Sequence, residues 1–188
     1  MDTKGNLHKS NRLFDGKNFE EKLWKYVKEH VKSLASFRFL DYGCGKALHC
    51  FHPLIEGKTL HQALGSKCQS IYLYDPAYPP YSEKPSYESP FHIVSCSDVM
   101  EHVPEEAVLE VLTEIFDLSA DDSVVFFSIA GKEAYKSFAD GENLHCTIKP
   151  LKWWIDMFND VGFERYVIVY TDDKGEHTAF KGFNNAAV

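Results

Sequence analysis

One stretch limits the folds open to this chain more than any other: Phe37–Ala47, reading FRFLDYGCGKA. A short apolar run closes on Asp41, Tyr42, Gly43, Cys44 and Gly45. The run predicts a buried strand that delivers a carboxylate and a glycine turn. Glycine is needed where the backbone takes positive φ or comes close to a ligand, because a Cβ would collide there. In open α/β sheets, a glycine turn at the C-terminal end of a parallel strand is where nucleotide-like ligands dock.

The spacing narrows the ligand. A dinucleotide fingerprint, G-x-G-x-x-G/A, needs a small third residue for close helix–strand packing. That register gives Gly43, Gly45 and Leu48, and leucine fits poorly. A phosphate loop, G-x-x-x-x-G-K-[ST], is absent: Lys46 follows Gly45, but no glycine stands at the earlier position and Ala47 replaces the hydroxyl residue. Asp41 would repel a phosphate near this turn. A cationic ligand suits it better.

Asp41-Tyr42-Gly43-Cys44-Gly45-Lys46-Ala47 resembles the first motif, acid-x-G-x-G-x-G, of class I S-adenosylmethionine-dependent methyltransferases, with Ala47 in place of the last glycine. Ser70–Asp75, SIYLYD, is a second apolar run closing on an acid, and Asp75 matches the family acid that takes both ribose hydroxyls. A carboxylate with two acceptor oxygens suits a vicinal diol. Phe91–Pro104, FHIVSCSDVMEHVP, resembles the fourth-strand segment of the family, where a strand runs into D-V-x-E-H. The resemblance covers residues 37–104. It implies S-adenosylmethionine as cofactor, held at Asp41, Gly43, Gly45 and Lys46 on the first turn. Asp75 and Pro76 follow at the second strand end, and Ser97, Asp98 and Val99 at the third. Asp98 either touches the methionine end of the cofactor or caps the next helix.

The chain has 188 residues, the size of one domain with a proper core. Residues 1–17 are polar and read as an arm or lid, leaving 18–188 as the methyltransferase-like domain. No segment is long and apolar enough to span a membrane, and the first residues lack an apolar h-region, so a cytoplasmic protein is expected. Five cysteines without a C-x-x-C pair indicate neither a disulfide framework nor structural zinc. A net charge of −8 lacks the footprint of nonspecific nucleic-acid binding. The expected partner is a small-molecule substrate; the oligomeric state is open.

The remaining chain predicts a doubly wound, Rossmann-like sheet of about six strands. Asn18 and Glu21 form a capping-box pattern, and Phe19, Leu23, Trp24, Val27 and Val31 give a helix over 18–34. Strands are predicted at 37–42, 70–75, 91–97 and 122–129. Between Asp75 and the third of these lie five prolines, which exclude a helix or central strand. One β–α unit is therefore expected to be missing or vestigial, and Tyr81 or Tyr87 could stack on adenine in its place. Pro104 opens a helix with Val108, Val111, Leu112 and Ile115 on its core face. A loop at 130–148 leads to a helix from Pro150 to Gly162, and 164–170 with 178–183 read as a closing antiparallel hairpin.

Methyl transfer from a sulfonium mainly requires that two reactants be oriented and water excluded. A base is needed if the nucleophile carries a proton, and histidine suits that work near neutrality. Two candidates stand out. His102 follows Glu101 at a strand-to-helix turn, with a bracing role through its ring N–H as the alternative. His145 lies in a D-G-x-N-x-H stretch, Asp140 to His145, followed by Trp153 and Trp154; this resembles a pattern in a subset of small bacterial and phage methyltransferases. Asn143 is a substrate-binding candidate. Trp153 and Trp154 would face about 100° apart on a helix. Core packing accounts for both, or one walls the substrate pocket through a face that attracts a sulfonium, with Trp154 as the candidate. His49 and His52 have a helical metal-binding spacing but no evident third ligand, so no metal is expected. The expected activity is methyl transfer to an oxygen or nitrogen of a small, possibly sugar-like molecule. The alternative is a domain that binds the cofactor without catalysis or transfers another part of it.

Overall fold

A computed structural model describes residues 24–53 and 55–182. The polar arm at 1–17, the Asn18–Glu21 capping pattern, and Phe19 and Leu23 lie outside the described residues. Within them, the chain forms six strands in one sheet, ordered β2-β1-β3-β4-β5-β6. The strands are β1 (Phe37–Tyr42), β2 (Cys68–Tyr74), β3 (Phe91–Ser97), β4 (Ser119–Ala130), β5 (Tyr166–Asp172) and β6 (Gly175–Lys181). All neighbours pair parallel except β5 with β6. The helices are α1 (Trp24–Ser33), α2 (Leu48–Phe51), α3 (Leu60–Leu64), α4 (Glu105–Asp117) and α5 (Leu151–Val161).

Strand alternation builds the layers. On β4, Val125, Phe127 and Ile129 join one core, while Val124 and Phe126 point into the other. The first core packs α4 and α5 through Val108, Leu112, Ile115, Trp154 and Phe158. The second packs α1 and α3 through Trp24, Val27, Val31, Leu60 and Leu64. With both faces covered, the central strands carry continuous apolar runs rather than alternating polar residues.

Capping chemistry sets several boundaries. Thr59 and Gln62 form a reciprocal capping box at the start of α3. Gly162 closes α5 in the left-handed region at φ 102°, where a side chain would be strained. The interval between β1 and β2 contains two short helices separated by Pro53 and Gly57, as the breakers predict.

Between β2 and β3 there is only a 3-10 turn, Pro79–Tyr81, and neither helix nor strand replaces the reduced unit. Some boundaries move from expectation. β2 starts at Cys68 and stops at Tyr74, leaving Asp75 just past the strand. β4 begins at Ser119, ahead of the apolar run, because Phe91 pairs with Ser119 before a register shift. The hairpin turns tightly at Asp173-Lys174, with Asp172 paired to Gly175, so β6 starts earlier than the apolar residues suggested. No helix among the described residues is long and apolar enough to cross a membrane.

Topology fixes where a ligand can sit. The chain leaves β1 toward β2 on one side, then returns to β3 on the other side of β1. The helices that follow β1 and β3 pack on opposite faces of the sheet, and in open α/β sheets the ligand crevice lies outside the C-terminal ends of two such strands.

Candidate functional site

The glycine turn lies at that crevice. Gly43 and Gly45 adopt φ 75° and 54°. A Cβ on Gly43 would stand 2.2 Å from Cγ2 of Val99, so the turn and the loop after β3 interlock at that point. At Gly45 the same construction meets nothing within 4 Å, which leaves open space over the turn. Gly43 and Cys44 N–H groups donate to the Tyr74 carbonyl, tying the turn to the end of β2. Ala47, where the resembling motif has glycine, sits in the left-handed region at φ 49°, which explains the usual glycine.

Asp75 belongs to the same structure. Its Oδ2 accepts the Gly45 N–H at 2.8 Å and its Oδ1 accepts the Ala77 N–H at 2.8 Å. Each carboxylate oxygen retains acceptor capacity, enough for a diol. Pro76 is exposed beside it, and Lys46 is half-exposed on the turn. The loop returns so that the Tyr81 carbonyl accepts the Asp75 N–H at 2.9 Å, bringing Tyr81 close to the turn. Tyr87 is exposed, with the Lys84 ammonium 5.4 Å from its ring centre.

Asp41 is placed differently from an open ligand contact. It is 3 % exposed, and its Oδ2 lies 2.9 Å from Nε2 of His49 on α2. Burial lowers the His49 pKa, but the Asp41 charge and hydrogen bonding outweigh it and raise the value to about 10. An imidazolium therefore braces the acid beneath the glycine turn. His52, by contrast, is the exposed C-cap of α2, so the two histidines do not share a site. Burial, with the Asp41 and Asp75 charges, pushes the Cys44 thiol far up, so it stays protonated. All five cysteines are free.

At the tip of β3, Asp98 takes φ 55°, an uncommon backbone for a non-glycine residue. Its N–H donates to the Ser128 carbonyl, and its Oδ1 accepts the Ser128 hydroxyl at 2.9 Å. Asp98 thus ties β3 to β4 and does not cap α4, whose N-cap is Pro104. Ser97 Oγ is buried without a hydrogen-bond partner among the described residues, an orphan at the crevice.

The loop after β4 docks on the turn after β3. Thr147 N–H donates to the Glu101 carbonyl at 3.1 Å, and its hydroxyl donates to the Val103 carbonyl at 2.6 Å. The Cys146 thiol donates to the His102 carbonyl. Glu101 is 1 % exposed, and its Oε1 accepts the Ala130 N–H at 3.0 Å. This stitching brings His102 and His145 together, their ring centres 4.8 Å apart and nearly perpendicular. His102 Nδ1 is 2.9 Å from the Leu144 carbonyl, and His145 Nδ1 is 2.5 Å from the Lys132 carbonyl. A carbonyl only accepts, so each Nδ1 carries a proton.

Of the two substrate-binding expectations, the structure corrects that for Trp154, while Asn143 has a role in its own loop. Asn143 Oδ1 accepts the N–H groups of Ala134 and His145, both at 2.9 Å, and its Nδ2 donates to the Ala134 carbonyl. Its amide shapes the loop and positions His145. Trp154 is 0 % exposed within the core against Phe158. It cannot line a pocket; the half-buried neighbour is Trp153, edge-on to it. Glu101 was not singled out from the sequence, although the E-H pair of the D-V-x-E-H match held the signal.

Among known proteins, a family model described as a methyltransferase domain matches residues 7–167. Comparison with curated proteins and with solved structures gave no match.

Proposed function

The chain belongs to the methyltransferase domain family, of the class I S-adenosylmethionine-dependent kind, and from that premise we propose that it methylates an oxygen or nitrogen of a small-molecule acceptor. The observation that carries the cofactor reading is the Asp75–Gly45 bond, which makes the acid at the tip of β2 and the glycine turn after β1 one rigid cradle. The residues fit a cationic thioether nucleoside. Open space lies over Gly45, Asp75 offers acceptors to a ribose diol, and Ser97 Oγ is an unmatched hydroxyl at the same crevice. Tyr81 is the better placed ring for adenine, since its own carbonyl is held at Asp75.

S-adenosylmethionine, when bound, supplies the methyl group and its own thioether leaving group. The remaining work falls to the chain. The turn residues Gly43, Gly45 and Lys46, the acid Asp75 with Pro76, and the β3 tip residues Ser97, Asp98 and Val99 hold the cofactor. Asp41, braced by His49, supports the turn from beneath. His102 and His145 are the candidate bases, each with Nδ1 at a backbone carbonyl; His102 sits on the segment that interlocks with Gly43 through Val99, and the loop that carries His145 docks on that segment. The acidic net charge of −8 favours a small acceptor over a nucleic acid.

Calorimetry with S-adenosylmethionine and S-adenosylhomocysteine tests the cradle. Incubation of the full chain with methyl-labelled cofactor and a panel of hydroxyl- and amine-bearing metabolites tests transfer. Label in an acceptor, accompanied by S-adenosylhomocysteine, is expected. Absence of binding at millimolar ligand would overturn the reading, and transfer of label from the aminocarboxypropyl portion would replace it with a different reaction.

A further inference from the structure

The strap between β2 and β3, residues 76–90, brings Tyr81 to the glycine turn, yet it has little core of its own. Pro85 is its only buried residue, and its only element is the 3-10 turn Pro79–Tyr81. A segment with so few buried contacts opens at low cost. Its five prolines reduce the entropy lost when it closes, but they supply no N–H for backbone bonds. The holding therefore falls to side chains.

Those side chains reach it from the body of the protein. The Arg38 guanidinium donates to the Ser89 carbonyl at the far end of the strap. The Tyr72 hydroxyl donates to the Glu83 carbonyl at 3.3 Å. Beside it, the Lys84 ammonium stands 2.8 Å from Oε2 of Glu114 on α4. The other oxygen of Glu114, Oε1, accepts the Tyr42 hydroxyl at 3.2 Å. Tyr42 is buried and immediately precedes Gly43. Its ring packs edge-on against Tyr74, which immediately precedes Asp75. One carboxylate on α4 thus holds the strap with one oxygen and the root of the glycine turn with the other.

We propose that Glu114, acting through Lys84 and Tyr42, is a positioning residue for the nucleoside half of the cofactor. It clamps the strap at the spacing from the glycine turn at which Tyr81 meets adenine and Asp75 meets ribose. This role rests on the S-adenosylmethionine reading of the crevice. An isolated surface ion pair contributes little. Here the Glu114 side chain is only 18 % exposed, and the Lys84 ammonium also lies 5.4 Å from the Tyr87 ring centre. The pair is part of a network, partly shielded from salt. Lys84 itself is half-exposed, so its replacement leaves both cores intact. Apparent affinity falls with the fraction of chains whose strap is closed. Loss of the clamp therefore appears as weaker binding rather than as loss of the fold.

The test measures binding of S-adenosylhomocysteine and of adenosine to the full chain by calorimetry. Lys84→Glu sets two carboxylates against each other, and Glu114→Lys sets two ammonium groups against each other. Each should weaken both ligands at least about 10-fold, with circular dichroism unchanged. The variant carrying both changes restores the attraction and should recover affinity to within about 3-fold of the parent. Lys84→Met, which removes only the charge, should fall between the parent and Lys84→Glu. Hydrogen exchange across 76–90 should quicken in the single variants and slow again in the double one. Parent-like affinity in the single variants would overturn the clamp, and so would a double variant that stays as weak as the singles. If a charge reversal fails to fold, parent-like affinity and exchange in Lys84→Met would overturn it. A parent chain that binds neither S-adenosylmethionine nor S-adenosylhomocysteine would remove the cofactor reading, while faster exchange at 76–90 in Lys84→Met would still sustain the clamp.

Discussion

Asp75 gives one oxygen to Gly45 and the other to Ala77, so its carboxylate is preorganised before any ligand arrives. Asp75→Ala should weaken S-adenosylmethionine by about 1–3 kcal/mol, the range for removing a buried polar partner, as measured by calorimetry. Unchanged affinity would remove the ribose role. Asp41 behaves differently because it has its own cation. The folded His49 pKa of about 10 lies above the ordinary 6.5. Its protonation stabilises the fold fully below about pH 6.5 and that contribution is lost as pH rises through about 10. Thermal melts should therefore show Tm falling across this window, and His49→Gln should flatten that part of the fall. The acid at position 41 is visible in sequence beside the glycines. Its partner is not, because residue 49 reaches it only after the turn folds back into α2.

The loop between β4 and α5 is the element on which the histidine pair depends. Asp140 accepts the Glu142 N–H, Gly141 supplies a φ of 92°, and Asn143 clamps Ala134 and His145. The D-G-x-N-x-H spacing is thus a device that turns the chain and delivers one imidazole. Asn143→Ala should lower turnover by up to about 10²-fold through misplacement of His145, while cofactor affinity stays unchanged. Loss of cofactor affinity in that variant would mean that the loop belongs to the cradle instead. The far end of the loop is held by Tyr170, whose hydroxyl donates to the Lys149 carbonyl at 2.8 Å. Its ring crosses Gly131 so closely that a Cβ there would lie 1.7 Å from the hydroxyl oxygen. Gly131→Ala should destabilise the fold by roughly 1–3 kcal/mol in urea titration, as overpacking does. Helix and strand types are readable from periodicity at this scale, yet boundaries shift where pairing extends a strand into polar sequence, as at Ser119.

Across the whole molecule, two apolar layers lock a single sheet. Trp154 and Phe158 anchor α5 over β4, where the Phe158 and Phe127 rings stack at 4.4 Å. Trp154→Ala should cost about 3–5 kcal/mol in denaturant unfolding, and Trp153→Ala clearly less. Equal losses would mean that both rings are core. The amino-acid sequence alone determines the α/β class, the glycine turn, the two acids at strand ends and the absence of a unit between β2 and β3. Those properties are local: apolar runs, glycine freedom and proline exclusion act over a few residues. Only the tertiary structure decides that His49 pairs with Asp41, that Trp154 rather than Trp153 is sealed in the core, and that Glu101 and His102 meet His145. Each of these depends on the packing of segments distant along the chain, and sequence spacing carries no distance across that gap.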